Sequence, residues 1–192
     1  AVPIETDKIH HSGTGRFAWM TMRTMSLAES GESTGEVSLA NLFANPGTDV
    51  FGTNNLNIEN IAWLICRGGW PRATIVNEDV ALDMAYRYYE AVVNSDISRV
   101  DNVRRDVERT KRILRSLARN QCAQVPISTI CADIENNDAL ASSRLTISSY
   151  VDALKKIFVL EDSPAWNPNL RSKSAIRYSE TRYFTDPSIG VA

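Results

Sequence analysis

The side chains in this 192-residue chain best equipped for chemistry are its arginines and lysines, and the chemistry they suit is contact with phosphate. A guanidinium stays charged at any working pH and forks onto two oxygens, whereas an ammonium offers a mobile point charge. These groups gather in two places. Between Val100 and Ala118, Arg104, Arg105, Arg109, Lys111, Arg112 and Arg115 fill the gaps between Val103, Val107, Thr110, Leu114 and Leu117, which recur every three or four residues. That spacing predicts an amphipathic helix with a basic outer face. The competing reading is a solvated face laced by pairs such as Asp101 with Arg105 and Asp106 with Arg109. Further along, Arg144, Thr146, Ser148, Ser149, Lys155 and Lys156 fall on a predicted helix from Arg144 to Phe158, and Arg171, Lys173, Arg177 and Arg182 follow it. Nucleic-acid binding needs several positive groups on one face, because counterion release from phosphates supplies most of the affinity. Asp133, Glu135, Asp138, Asp152, Glu161 and Asp162 dilute that charge.

Other chemistries find no support. His10 and His11 are adjacent, hence on different faces of any regular element, and make poor metal partners. Cys66, Cys122 and Cys131 are odd in number and lack a Cys-x-x-Cys pair, so neither a disulfide framework nor a zinc site is indicated. The carboxylates form no spaced acid pair, and no Ser, His and Asp set stands out. No catalytic residue and no metal ligand is therefore expected.

The elements that must carry the cations are mostly helices. Phe17 to Met22 alternates as one strand buried on both faces, with no second strand nearby to join. Arg23 to Ser30 looks like a short helix, and Val37 to Phe43 like a helical turn capped by Ser38. Ile58, Ile61, Ala62 and Ile65 predict a helix capped by Asn57 and ended by Gly68-Gly69, with Trp70-Pro71 packing and stiffening its exit. Asn77 to Asn94 reads as a longer helix with a buried stripe of Val80, Met84, Tyr88 and Val92. Pro126 to Ile134 adds a short helix, and Arg144 to Phe158 buries Ile147, Tyr150, Val151, Leu154 and Ile157. Strands at Val159-Leu160 and Ser179 to Thr185 close the plan: helix, helix, helix, then a two-stranded ribbon, the order of a winged helix-turn-helix.

Composition bounds the answer without naming it. With 43% hydrophobic residues, 9 Gly and 7 Pro, the chain can bury a core, and disordered and collagen-like classes are excluded. The net charge of −2 hides an asymmetry, since residues 1–98 carry 6 basic and 12 acidic groups and the remainder 15 and 11, giving −6 and +4. No apolar run approaches the ~20 residues of a membrane span, and no basic-then-apolar leader opens the chain, so a cytoplasmic location with no membrane partner is expected.

Four runs in order, Ser12-Gly13-Thr14-Gly15-Arg16-Phe17, Met22 through Gly31, Arg67-Gly68-Gly69-Trp70-Pro71 and Tyr183-Phe184-Thr185-Asp186, resemble the prokaryotic AAA-type ATP-binding proteins with an uncharacterised C-terminal half. The resemblance implies an ATPase core first, a winged-helix segment in the middle and a restriction-nuclease-like domain last. The family's phosphate loop, ending Gly-Lys-Ser/Thr, occurs nowhere in this chain, and Gly13-Thr14-Gly15 lacks the lysine that would reach the terminal phosphates. The chain also opens Ala-Val-Pro without an initiator Met. It is therefore expected to be a middle fragment, with the missing N-terminal ATPase and C-terminal domains of the same polypeptide as partners.

The expected fold is mainly α: a helical bundle plus a small winged helix-turn-helix, with an isolated strand left from an AAA-type ATPase core. The expected divisions are a core remnant at 1–35, a helical segment at 36–120 and a winged helix at 121–192. The resemblance makes Arg16 a nucleotide-contacting residue in the intact parent only, and ATP with magnesium the parent's cofactors, none being expected in this fragment. The expected role is a non-catalytic link between ATPase core and C-terminal domain that contacts DNA through the winged helix. The alternative is a protein-interaction or regulatory module without nucleic acid. An orphan strand is expected to pair with a second copy or to dock on the helices, and a homodimer is the expected state.

Overall fold

The computed structural model describes residues 16, 18, 20–135, 143–166 and 180–192. The protein is mainly helical with a small two-stranded sheet. Helix α1 (Leu39–Ala44) is a short turn with no buried residue. Helix α2 (Ile58–Arg67) starts where Asn57 and Asn60 cap each other reciprocally, the Asn60 N–H donating to Asn57 Oδ1 at 2.7 Å and the Asn57 N–H to Asn60 Oδ1 at 3.1 Å. Helix α3 (Glu78–Ala91) is capped by Asn77 and places Glu78 and Asp79 at the positive end of its dipole. It continues through a π-helical turn at Val92–Asp96 into α4 (Ile97–Arg99). Its fully buried residues are Ala81 and Ala85; of the expected stripe Val80 is exposed, Met84 and Tyr88 are half-buried, and Val92, at the start of the following turn, is buried.

Helix α5 (Val107–Arg119) is capped by Asp106, α6 spans Ile127–Glu135, and α7 (Arg144–Lys156) is capped by Ser143, whose hydroxyl accepts the Thr146 N–H at 3.1 Å. Strands β1 (Leu160–Ser163) and β2 (Thr181–Phe184) pair antiparallel, from Leu160 opposite Phe184 to Ser163 opposite Thr181. Ala123, between α5 and α6, bridges to Arg182 on β2 and adds one rung of a third strand. Helix α8 (Ser188–Val191) packs on α2, α3 and α5.

The core lies where α5, α6, α7, α8 and the ribbon meet. Ile97, Ile113, Ile130, Ile147, Leu154 and Val159 are all without solvent exposure, and Leu114, Val151, Phe184 and Ile189 complete the cluster. Each such side chain contributes about 1.5–3 kcal/mol by leaving water. The apolar face expected of α7 is the face found, with Ile147, Tyr150, Val151 and Leu154 buried. Among the described residues no helix is long and apolar enough to cross a membrane.

Three expectations are corrected. The described residues of the 17–22 run form no strand, and Met20 and Met22 are 91% and 89% exposed, because among the described residues no strand lies alongside to satisfy their backbone; Phe17 and Trp19 lie outside the described residues. Arg23 to Ser30 is not a helix. Ser26 and Glu29 make one reciprocal cap, and Gly31 at φ +87° ends the turn. Finally, α5 begins at Val107, leaving Val103 exposed and Arg105 buried rather than on a basic face.

Candidate functional site

The C-terminal end of α2 is where distant parts of the chain converge. The Gly68 N–H donates to the Leu64 carbonyl at 2.9 Å, and at φ +70° Gly68 turns the chain in a conformation that side-chain residues resist. A Cβ on Gly68 would sit 2.3 Å from Asp186 Oδ1, and one on Gly69 would sit 2.1 Å from the Met25 carbonyl oxygen. Both glycines are thus required by close approach, Gly69 by that alone. The Met25 N–H donates to the Gly69 carbonyl at 2.7 Å, and the Gly69 N–H donates to Asp186 Oδ2 at 2.8 Å. The other Asp186 oxygen accepts the Ser188 N–H at 3.0 Å and the Ser188 hydroxyl at 2.5 Å, and Ser188 Oγ accepts the Trp70 Nε1–H at 3.0 Å. Asp186 is 1% exposed, and three hydrogen-bond donors rather than a cation offset its desolvation.

Two further contacts close this junction. The buried Arg67 guanidinium donates to the Gly68 carbonyl at 3.0 Å and pairs with Glu32 from the N-terminal arm. Burial pushes the Glu32 carboxyl up, and the hydrogen bonds from Arg67 and Ser30 outweigh it, so the group lies below the usual carboxylate range. Trp70 packs on Tyr88 with ring centroids 4.6 Å apart, and Pro71 opens a 3₁₀ turn at Pro71–Thr74.

Beside the junction lies a cleft of about 620 Å³ between the arm at Thr21–Thr24, Trp70 and Tyr88, and the start of the ribbon at Phe158–Asp162. Phe158 holds the left-handed cap of α7 at φ +59° with its ring half in solvent. Four of the charges on the rim, Arg23, Lys155, Glu161 and Asp162, are paired. Arg23 forks onto Glu161, with Nε to Oε2 at 2.8 Å, which lowers the Glu161 pKa. Asp162 receives Arg182 Nε at 2.8 Å and Nη2 at 3.1 Å, and pairs with Lys155. Burial pushes Asp162 up, but the hydrogen bonds from Arg182 and Lys155 prevail and hold it at about 2. Walls that are mostly apolar, with Arg23, Lys155, Glu161 and Asp162 paired, can hold a partner group, and the exposed Glu180 is a further acid of the lining. Among the described residues no three His, Cys, Asp or Glu side chains come together to hold a metal.

The structure separates the residues singled out by sequence. Arg16 is exposed in a turn. On α7, Arg144 is exposed, Thr146 and Ser148 are half-buried, and the exposed Ser149 accepts from Arg105 Nη2 at 3.3 Å through both its hydroxyl and its carbonyl. Lys155 is committed to Asp162. The outward stripe of α7 is Leu145, Ser149, Asp152 and Lys156, one cation beside one carboxylate. Arg171, Lys173 and Arg177, like His10 and His11, lie outside the described residues.

Arg105 is a staple. It forks onto both Asp101 oxygens at 2.7 Å, donates to the Ile97 carbonyl at 2.7 Å and lies 5.6 Å from the centre of the Tyr150 ring. The Arg105 hydrogen bond, the largest influence, lowers the Asp101 pKa. A buried guanidinium is tolerated only when bonded in this way. Asp186 is the residue that sequence reasoning left without a role. Its signal was Asp186-Pro187-Ser188, a short polar side chain two residues ahead of the group it bonds.

Comparison with curated proteins and with solved structures finds no match. A protein-family profile described as a domain of unknown function, DUF8612, matches residues 58–192. Its first residue is the first residue of α2, and its span takes in the junction from Arg67 to Ser188 and the whole apolar core. With well over half of its length matched, the chain belongs to the DUF8612 family.

Proposed function

We propose that this chain is a non-catalytic connector, the middle portion of an AAA-type ATP-binding protein, that ties an ATPase core to a C-terminal domain. The observation that carries the reading is the junction. Three of the four motif runs behind the resemblance, Met22–Gly31, Arg67–Pro71 and the run ending at Asp186, are joined there by consecutive hydrogen bonds from Met25 to Gly69 to Asp186. Motifs far apart in sequence that bond to one another act as one unit, and a unit that clasps an entering arm to a departing segment is built to connect. The exposed Leu39, Phe43, Phe51 and Ile58 supply apolar surface for the core to cover.

Within the connector, the order α5, Ala123 bridge, α6, α7, β1, β2 supports a winged helix-turn-helix whose third strand is reduced to one rung. Contact through α7 fits a protein partner better than DNA. Of its candidate cations, Lys155 is neutralised, and Arg144 and Lys156 share the surface with Leu145 and Asp152. Arg16 remains a candidate phosphate contact in the intact parent, with ATP and magnesium as that parent's cofactors. Sequencing the gene upstream of the Ala1 codon tests the reading. An open frame encoding a Gly-rich loop ending Gly-Lys-Ser/Thr is expected, and a start codon immediately before Ala1 would overturn it.

A further inference from the structure

The arm that leads into α2 is fastened unevenly. From Met25 onward it is held by main-chain bonds and one largely buried pair. The Met25 N–H donates to the Gly69 carbonyl at 2.7 Å, the Ser30 N–H to the Ser26 carbonyl at 3.0 Å, and the Glu32 and Ser33 N–H groups to the Leu27 carbonyl at 2.9 Å, while Glu32 pairs with Arg67. Before Met25 there is far less. From Met20 to Thr24 no backbone group bonds to another described residue, and Met20, Thr21, Met22 and Arg23 are all exposed. One side chain attaches the segment: the Arg23 guanidinium forks onto Glu161 of β1, with Nε to Oε2 at 2.8 Å.

That segment is a wall of the cleft described above. Thr21 to Thr24 stand across it from Leu160, Glu161 and Asp162, with Trp70, Tyr88 and Phe158 between. The other charges of the lining do not hold the arm: Asp162 is bound by Lys155 and Arg182, and Glu180 is exposed. The Arg23 and Glu161 side chains are 56% and 41% open to water. A pair so exposed adds little to stability, and salt screens it. Backbone groups that water already satisfies lose nothing when the segment moves away.

We infer that Met20–Thr24 is a strap, with Arg23 and Glu161 as its latch, that swings off the cleft while its root at Met25 stays bonded to Gly69. Local opening draws on the least-bonded segments of a fold, and here the boundary falls between Thr24 and Met25. With the strap away, one wall of the cleft is gone and solvent meets Trp70, Tyr88 and Phe158 from that side. Any group that competes for either end of the latch, a carboxylate for Arg23 or a cation for Glu161, releases it, so access to the cleft responds to charge. This goes beyond the connector reading, which needs no moving part and stands if this one fails.

The test is limited trypsin digestion of the full chain. Trypsin seats an arginine on a carboxylate of its own, so Arg23 is cut only when it has left Glu161. Cleavage after Arg23 is read by mass spectrometry and divided by cleavage after the exposed Arg16. The ratio is expected to rise as NaCl goes from about 0.01 to about 1 M, which shortens the screening length from about 30 to about 3 Å. Glu161→Gln is expected to raise the low-salt ratio about two- to fivefold and to remove its salt dependence. Glu180→Gln is expected to leave both unchanged, and hydrogen exchange followed by NMR to find the Met25 amide protected throughout. Circular dichroism melting checks that both surface variants keep the fold. The inference is overturned by an unchanged ratio in Glu161→Gln, by an equal effect of Glu180→Gln, or by loss of Met25 protection in step with cleavage.

Discussion

Up to Trp63 none of the described side chains is buried, whereas from Leu64 onward buried residues recur in every helix and in the ribbon. Apolar content does not separate the two regions, because the arm before α2 carries Met20, Met22, Leu39, Leu42, Phe43 and Phe51. What separates them is the means of attachment. The core is held by area, through side chains such as Ile113, Ile147 and Leu154 that each remove a whole aliphatic group from water. The arm is held by address: the Met25 N–H on Gly69, Glu32 on Arg67, and Arg23 on Glu161. A net hydrogen bond contributes only about 0.5–1.5 kcal/mol, but it fixes register in a way apolar contact does not. The family match starts at Ile58, the first residue of α2, and leaves the arm outside.

Substitution in the core should strike hardest. Leu154→Ala removes a fully buried side chain from the centre of α7 and is expected to cost about 2–5 kcal/mol, read as a lower urea midpoint with an unchanged slope. Gly69→Ala attacks the arm, since its new methyl group would sit against the Met25 carbonyl. The expected result is faster proteolysis between residues 20 and 31 with a loss of global stability of no more than about 1 kcal/mol. A melting midpoint lowered as far as in Leu154→Ala would show that arm and core unfold together, and the contrast drawn above would be lost.

The smallest effect is a matter of pH. Glu161 and Asp162 are neighbours on β1, one paired to the arm and the other to the core residues Lys155 and Arg182. Both carboxyls lie below their ordinary values, so each contributes stability that is present above the ordinary carboxylate pKa and is lost as pH falls through its own value. Asp162, at about 2, should titrate last. Carboxyl chemical shifts followed by NMR are expected to register Glu161 first. The reverse order would place the stronger fastening on the arm.

Local rules carried the helices well. Asn57 caps as expected and Asn77, Asp106 and Ser143 cap likewise, while Ser38 makes no side-chain cap bond to α1, and α7 buries the stripe its spacing demands. What escaped was non-local. The alternation at 17–22 looked like a strand, but a strand is defined by a partner, and its described residues find none. Val103 kept the helical period, yet Asp106 starts the helix later, because Arg105 turns inward to Asp101 and Tyr150. The double glycine read as a turn, and Gly68 is one. Nothing local indicated that Gly69 makes room for a backbone more than forty residues earlier, or that Asp186 would receive its N–H. For the same reason Lys155 on the predicted helix and Arg182 in the segment after it gave no local sign that both converge on Asp162 across the ribbon.

The clasp at Gly69 also sets how the molecule would carry load. Gly69 and Asp186 are 117 residues apart along the chain and one hydrogen bond apart in space. Tension applied to the arm at Met25 therefore passes through Gly69 into the segment at Asp186 and Ser188 without first stretching α3 to α7. The helical core is wired in parallel with that path, and a tug on one end of the domain would reach the other as a stiff, short linkage while the core stays slack.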